Sequence, residues 1–445
     1  MTAGASCNCV TVDVSAVPPT PWARLRCYSN DAEIELFRSD RLASVYRWWL
    51  RGPSYLTALD CTGLTQLVRV GDYWLYNCAS LAALDCAGLT QLVTVGDYWL
   101  SSCASLTALD CAGLSRLSAV GDHWLAGCGS LTAVNCTELT QLVTVGEYWL
   151  YNCASLAALD CTGLTQLVTV GDYWLSSCAS LTALDCASLS RLSAVGDHWL
   201  RDCVGLTSLG CTGLTQLVTV GDYWLYNCAS LTALDCTGLS RLSEVGDHWL
   251  HDCVGLTSPD FTGLTQLVTV GDYWLYNCAS LTALDCTGLS RLSAIGHCWL
   301  HTCTGLTSLD CSGLTQLATV GDGWLRDCTS LTGLDCTGLA QLVSVGHYWL
   351  SGCINLTALN CTGLTQLATV GGMWLQHCSR LAALDVAGMT QLVSVGPYCF
   401  VGVHLPRPSL PAFNRPEPIG LPSPTVPTQN RRHPVDSRCA CCLTS

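Results

Sequence analysis

The sequence predicts an α/β repeat solenoid, with short parallel strands along one face and short helical turns or irregular segments along the other. Three observations predict it. A unit of twenty-five residues, such as LAALDCTGLTQLVTVGDYWLSSCAS at 156–180, recurs without insertion or deletion from Leu56 to Leu405. Apolar side chains keep a fixed phase in every unit, and each unit carries a glycine at a constant phase where the chain can bend. A period of this length marks supersecondary units that cannot bury their apolar face alone and must stack.

The units begin at Leu56, Leu81, Leu106, Leu131, Leu156, Leu181, Leu206, Leu231, Leu256, Leu281, Leu306, Leu331, Leu356 and Leu381. Each opens on Leu-x-x-Leu-Asp-Cys or a close variant, as in Leu281, Leu284, Asp285 and Cys286, which reads as a short strand with leucines inward and aspartate outward. The middle supplies further inward positions, Leu289, Leu292 and Ile295, and then turns at Gly296. The closing stretch, Gly271, Asp272, Tyr273, Trp274, Leu275 and Cys278, reads as one helical turn capped by aspartate, with Trp274 and Cys278 four apart on its inner face. Stacked units would pair their strands into a parallel ladder.

The ends divide the chain further. Residues 1–30 form an extension, and 31–55 a degenerate N-terminal cap repeat that places Leu42, Val45, Trp49 and Leu50 at core phases. The solenoid proper covers 56–380, and 381–405 reads as a C-terminal cap in which Val386 and Val403 replace the usual cysteines. Residues 406–445 are rich in proline and poor in apolar side chains, which predicts an extended, unfolded tail.

Half of the residues are apolar and 12% are charged, too hydrophobic for disorder, yet no run of eighteen apolar residues marks a membrane span. All nineteen basic side chains are arginine and the net charge is −14, which disfavours nucleic acid as a partner. The start lacks a basic stretch followed by an apolar one, so a cytoplasmic location is expected, with the cell surface as the alternative.

Of thirty-three cysteines, twenty-five occupy two fixed phases. Phe261 replaces the first cysteine of its unit while Cys278 persists, so free, core-filling thiols are the favoured reading and a disulfide framework the alternative. No recurrent metal-ligand spacing appears, and neither a metal nor a cofactor is expected. Cys439, Cys441 and Cys442 end the chain as CACCLTS, whose last four residues have the form of a prenylation box. Lipid on Cys442, with acylation of Cys441 and Cys439, would tether the protein to the inner face of a membrane; an accidental ending is the bland alternative.

The strand-borne aspartates Asp60, Asp85, Asp110, Asp160, Asp185, Asp235, Asp260, Asp285, Asp310, Asp335 and Asp385 form a row interrupted by Asn135, Gly210 and Asn360. They are the candidate partner-binding residues, facing a basic protein, with Thr57, Thr107 and Thr232 alongside. A merely solubilising face is the other reading. A second row, from Asp72 to Asp322, reads as helix capping, and His123, His198 and His248 as outward variants of tyrosine.

The stretch Val270, Gly271, Asp272, Tyr273, Trp274, Leu275, Cys278 and Leu281 resembles the leucine-rich repeat superfamily, most nearly its Treponema-type or BspA-like class. Here Trp-Leu stands where that class has Ala-Phe, and the unit is slightly longer. The resemblance implies an arc of stacked strands that binds proteins on an exposed face. With no nucleophile–base pair or phosphate loop in the sequence, the expectation is a non-enzymatic interaction scaffold. The alternatives are a surface or secreted adhesin, for which Asn135, Asn355 and Asn360 begin glycosylation sequons, and the recognition arm of a ubiquitin-ligase adaptor.

Overall fold

The computed structural model describes residues 43–405 apart from 46 and 55, together with the backbone of two strands, Leu25–Ser29 and Ala32–Phe37. Each twenty-five-residue unit makes one coil, and each coil contributes two short strands. The first ladder runs from Ala58–Asp60 to Ala383–Asp385 and pairs parallel wherever it is hydrogen-bonded, as in Leu59 opposite Leu84 and Asp60 opposite Asp85. The second ladder joins fifteen two-residue strands, from Ser44–Val45 to Ser394–Val395, into one continuous parallel sheet. At the N-terminal end Leu25–Ser29 pairs antiparallel with both Ala32–Phe37 and Ala58–Asp60, closing the first ladder with a hairpin.

The inward phases are those the sequence assigns. In the coil at 156–180, Leu156, Leu164, Leu167, Trp174, Leu175 and Cys178 are fully buried, and Leu159, Cys161 and Val170 nearly so. Like residues meet like residues in the next coil. The indoles from Trp49 to Trp374 form one column, with ring centroids 5.7 Å apart at the first step and 5.4 Å at the typical one, such as Trp149 on Trp174. Phe400 ends the column edge-on at 5.0 Å from Trp374.

The expected helical turn is absent: no helix occurs among the described residues. From the recurrent glycine onward the backbone alternates in hand, with Tyr73, Leu75 and Asn77 at φ of 63°, 56° and 55° and the residues between them on the ordinary side. This alternation turns successive amides toward opposite neighbours. Tyr73 N–H donates to the Asp97 carbonyl of the following coil (2.7 Å), and Leu75 N–H to the Trp49 carbonyl of the preceding coil (3.2 Å). A helix would have used those amides internally; here they bind coil to coil. Left-handed geometry costs about 1–2 kcal/mol per non-glycine residue, and burying an indole of about 200 Å² returns about 5 kcal/mol.

The second-row aspartates are accordingly not helix caps. Asp247 Oδ1 accepts the Asp272 N–H of the next coil at 2.7 Å, and the same clasp recurs from Asp97 N–H on Asp72 to His347 N–H on Asp322. Where His297 and His347 replace aspartate, imidazole Nδ1 accepts the amide of Asp322 and of Gly372, each at 2.9 Å. A charge is therefore not needed for the clasp, and Gly372 holds the same phase with no acceptor side chain.

The glycine before it is required for a different reason. A Cβ at Gly271 would lie 2.7 Å from both Asp247 N and the Gly246 carbonyl carbon, inside the backbone of the preceding coil. That crowding explains why all fourteen units keep glycine there.

Twenty-six of the twenty-seven described cysteines are buried, and all twenty-seven are free of disulfides. The second-phase thiols serve the backbone of the coil before them. Cys103 Sγ–H donates to the Leu75 carbonyl (3.1 Å), and the pattern runs to Cys378 on Leu350 (3.0 Å). Each satisfies the carbonyl of a left-handed leucine. No comparable bond to an earlier coil recurs from Cys86 to Cys361, and it is in that phase that Phe261 is accommodated, 1% exposed against Trp249 and Trp274.

Two outcomes follow from this packing. Gly271→Ala should destabilise the protein by about 1–3 kcal/mol in urea unfolding, since an added methyl has nowhere to go; an unchanged midpoint would contradict the close approach. Titration with a thiol reagent should read thirty-three thiols in denaturant but no more than the seven outside the buried twenty-six in the native reduced protein.

Candidate interaction surface

The eleven strand-borne aspartates all stand at the end of a first-ladder strand, Asp60 half-exposed and the others exposed. Each is fixed by a local turn. Asp285 Oδ1 accepts the Thr287 N–H at 2.8 Å and Asp235 Oδ1 the Thr237 N–H at 2.8 Å, a bond made possible by the bend after the strand. In two units the following threonine adds its hydroxyl, Thr162 on Asp160 and Thr262 on Asp260, both at 2.7 Å. These hydrogen bonds hold the Asp160 and Asp260 carboxyls below the usual carboxylate range.

Neighbouring strands lie about 4.8 Å apart, so adjacent carboxylates repel by about 1 kcal/mol even in bulk-water dielectric. The interruptions relieve this. Asn135 Nδ2 donates to Asp110 Oδ1 at 3.3 Å and Asn360 Nδ2 to Asp335 Oδ1 at 3.2 Å, while each asparagine keeps its own turn. The flanking threonines are partly committed: Thr132, Thr207, Thr307 and Thr357 donate their hydroxyls to the carbonyl of the threonine one coil earlier, leaving the acceptor side outward.

A second surface is one that the repeat pattern did not reveal. Ten aromatic rings, from Trp48 through Tyr73, Tyr98 and His123 to Tyr273, stack face to face outside the buried indoles, at spacings such as 4.3 Å for Tyr98 on His123. The three histidines expected to be outward variants belong to this half-exposed column. Three residues further along each coil an outer row carries Tyr76, Tyr151, Tyr226 and Tyr276, whose rings lie edge-on to the column. The recurrence of Tyr-x-x-Tyr at Tyr73 and Tyr76 was the available signal, hidden because the outer row changes from coil to coil.

Within this surface His248 and His251 are hydrogen-bonded through Nδ1 atoms 2.8 Å apart. Burial pushes the His251 imidazole down to about 4, opposed by Asp252 and reinforced by His248. Burial likewise lowers His248, with Asp247, Asp222 and Asp272 opposing.

Among the described residues no group of three or more histidine, cysteine, aspartate or glutamate side chains could hold a metal ion, and no helix is long and apolar enough to cross a membrane. Cys439, Cys441 and Cys442 lie outside the described residues.

No family model and no curated protein matches the chain. Among solved structures, a leucine-rich repeat protein from Bacteroides ovatus aligns over 83% of this chain and 90% of its own, with TM-score 0.55 and 16% identity. The chain has the leucine-rich repeat fold. The Treponema pallidum leucine-rich repeat protein TpLRR also matches, over 37% of this chain and 72% of its own, at 22% identity and TM-score 0.29.

The histidine pair generates a pH prediction. A folded-state imidazole held below its ordinary 6.5 binds fewer protons than the unfolded chain, so its contribution is present above about 6.5 and is lost as pH falls toward about 4. Urea midpoints should therefore drop across that window, and His251→Tyr, using the residue found at the same phase in Tyr276, should flatten the drop. A wild-type acid limb in the variant would contradict the assignment.

Proposed function

We propose that the protein is a non-enzymatic protein-interaction scaffold that receives a basic partner on the acidic edge of its first ladder. The supporting observation is the row of exposed carboxylates from Asp60 to Asp385, each fixed by its own turn. A fixed charge row gives up little side-chain freedom on binding, and its field steers cationic partners. The alternative role of keeping an apolar stack soluble does not call for this fixation. Within the leucine-rich repeat fold we read the unit as the Treponema-type or BspA-like class, on the glycine–aromatic–cysteine spacing of residues 271–278. Lipid on Cys442, supported by Cys441 and Cys439, would hold the scaffold at a cytoplasmic membrane face.

Replacing Asp235, Asp260, Asp285 and Asp310 by asparagine, the residue already used at Asn135 and Asn360, should leave the fold intact. Proteins captured from the native cell by the wild type should be depleted by the quadruple variant and eluted by added salt. Capture that is unchanged by the substitutions would refute the acidic-edge reading. Membrane content that is unchanged in Cys442→Ser would refute the tether.

A further inference from the structure

The outer aromatic row shows, within the chain itself, what its tyrosine pairs can hold. Arg51 lies with its guanidinium carbon 5.5 Å from the Tyr73 ring centroid and 5.4 Å from Tyr76, and 4.2 Å from Trp48. Arg201 repeats the arrangement, 5.2 Å from both Tyr223 and Tyr226, with Asp202 paired to it at 3.2 Å. In each case the arginine of one coil reaches the tyrosine pair of the next at cation–π distance; the stacked column covers both faces of Tyr73 and of Tyr223, so the outer ring, Tyr76 or Tyr226, supplies the ring face.

These two sites are separated by six coils, and midway between them the same tyrosine pair occurs again as Tyr148 and Tyr151. There the residue at the arginine phase is Ala126. A fourth pair, Tyr273 and Tyr276, has its own ring at that phase, His251, 4.5 Å from Tyr276. The Tyr148–Tyr151 pair keeps its geometry without a guanidinium: the two rings are 5.4 Å apart at 89°, against 5.5 Å and 90° for Tyr73 and Tyr76. Ala126 is 5% exposed while Tyr148 and Tyr151 are both half-buried and Glu147 beside them is exposed, so the rings and not the backbone beneath are the available surface. Glu147 adjoins Tyr148, and Asp122 and Asp172 lie close enough to Glu147 to act on it electrostatically, so the site is negative as well as aromatic.

We infer that the Tyr148–Tyr151 pair is a preformed seat for one arginine side chain supplied by a partner protein. The chain fills two copies of this seat with its own arginines, covers another with His251, and leaves this one to be filled from outside. Arginine is favoured over lysine because a planar, weakly hydrated guanidinium stacks on a ring while an ammonium keeps its water. The partner is basic, as in the proposed function, but this contact lies on a different surface from the strand-borne aspartates, so the two readings fail separately.

The test uses the full chain and a fluorescein-labelled sixteen-residue probe with arginine at every fourth position among serines and glycines, read by anisotropy. The arginine probe should bind about fivefold or more tighter than its lysine counterpart of equal charge. Ala126→Arg, which installs the side chain that phase already carries at Arg51 and Arg201, should weaken binding about tenfold with an unchanged circular dichroism spectrum. Arg201→Ala should open a second seat and raise the stoichiometry from one probe to two at probe lengths too short to span both. Equal affinity for the two probes, wild-type binding by Ala126→Arg, or no binding by the wild type would overturn the inference. Loss of binding in the aspartate-to-asparagine quadruple variant with Ala126→Arg unaffected would also overturn it, while supporting the acidic edge.

Discussion

Strict registry between coils is the constraint from which the rest follows. With twenty-five residues in every unit, each side chain meets its own kind one coil away, so any residue at an inward phase must pack against itself. Tryptophan does so by stacking, as in Trp224 on Trp249 at 5.2 Å and 1°. Leucine fills the remaining space, and cysteine is small enough to sit beside the indole column while its S–H reaches a carbonyl that would otherwise be buried without a partner. Self-stacking also explains the asparagines: a uniform row of carboxylates repels itself, and Asn135 and Asn360 bridge to the aspartate behind them.

The same registry makes a left-handed backbone tolerable. Leu225 at φ 57° would be strained in isolation, but its amide donates to Trp199 at 3.1 Å and its carbonyl accepts Cys253 Sγ at 3.0 Å. Thirteen indole N–H groups, from Trp74 to Trp374, are buried without an acceptor, each a penalty of about 1–3 kcal/mol. Burial of the ring outweighs that penalty, and so the column persists through every coil. The coils depend on one another in consequence, since each supplies the partner atoms that offset its neighbour's strain.

Much of this was legible in the residues. The fixed phases of Leu281, Leu284, Cys286, Leu289 and Leu292 point to the inward face and the strand, and Phe261 in place of a cysteine argues for unbridged thiols. The turn was misread because Trp274 and Cys278 are four apart, a spacing that fits a helix and also fits a backbone of alternating hand. A signal for the latter existed: the phase of Asn77 is often held by glycine, asparagine or aspartate, as at Gly127, Asn152, Asp202, Asn227 and Gly352, the residue types that enter the left-handed region most readily. No such signal marked Tyr73 or Leu75, whose geometry is set by bonds to other coils. The clasp of Asp247 on Asp272 is likewise a contact between coils, which one unit's residues cannot separate from a cap. The outer aromatic seat was hidden for a further reason, since the phase of Arg51, Ala126 and Arg201 is held by tyrosine or serine in the coils between them, so no one-coil consensus reveals it.

Thermal unfolding of fragments with three, six and nine coils, cut at unit boundaries and compared with the intact protein, measures the interdependence of coils most directly. Stability carried by contacts between coils predicts a melting temperature and a cooperativity that rise with coil number, with the three-coil fragment unfolded or nearly so. A three-coil fragment that melts at the temperature of the whole chain, and as sharply, would show that single coils are stable on their own and would contradict the account.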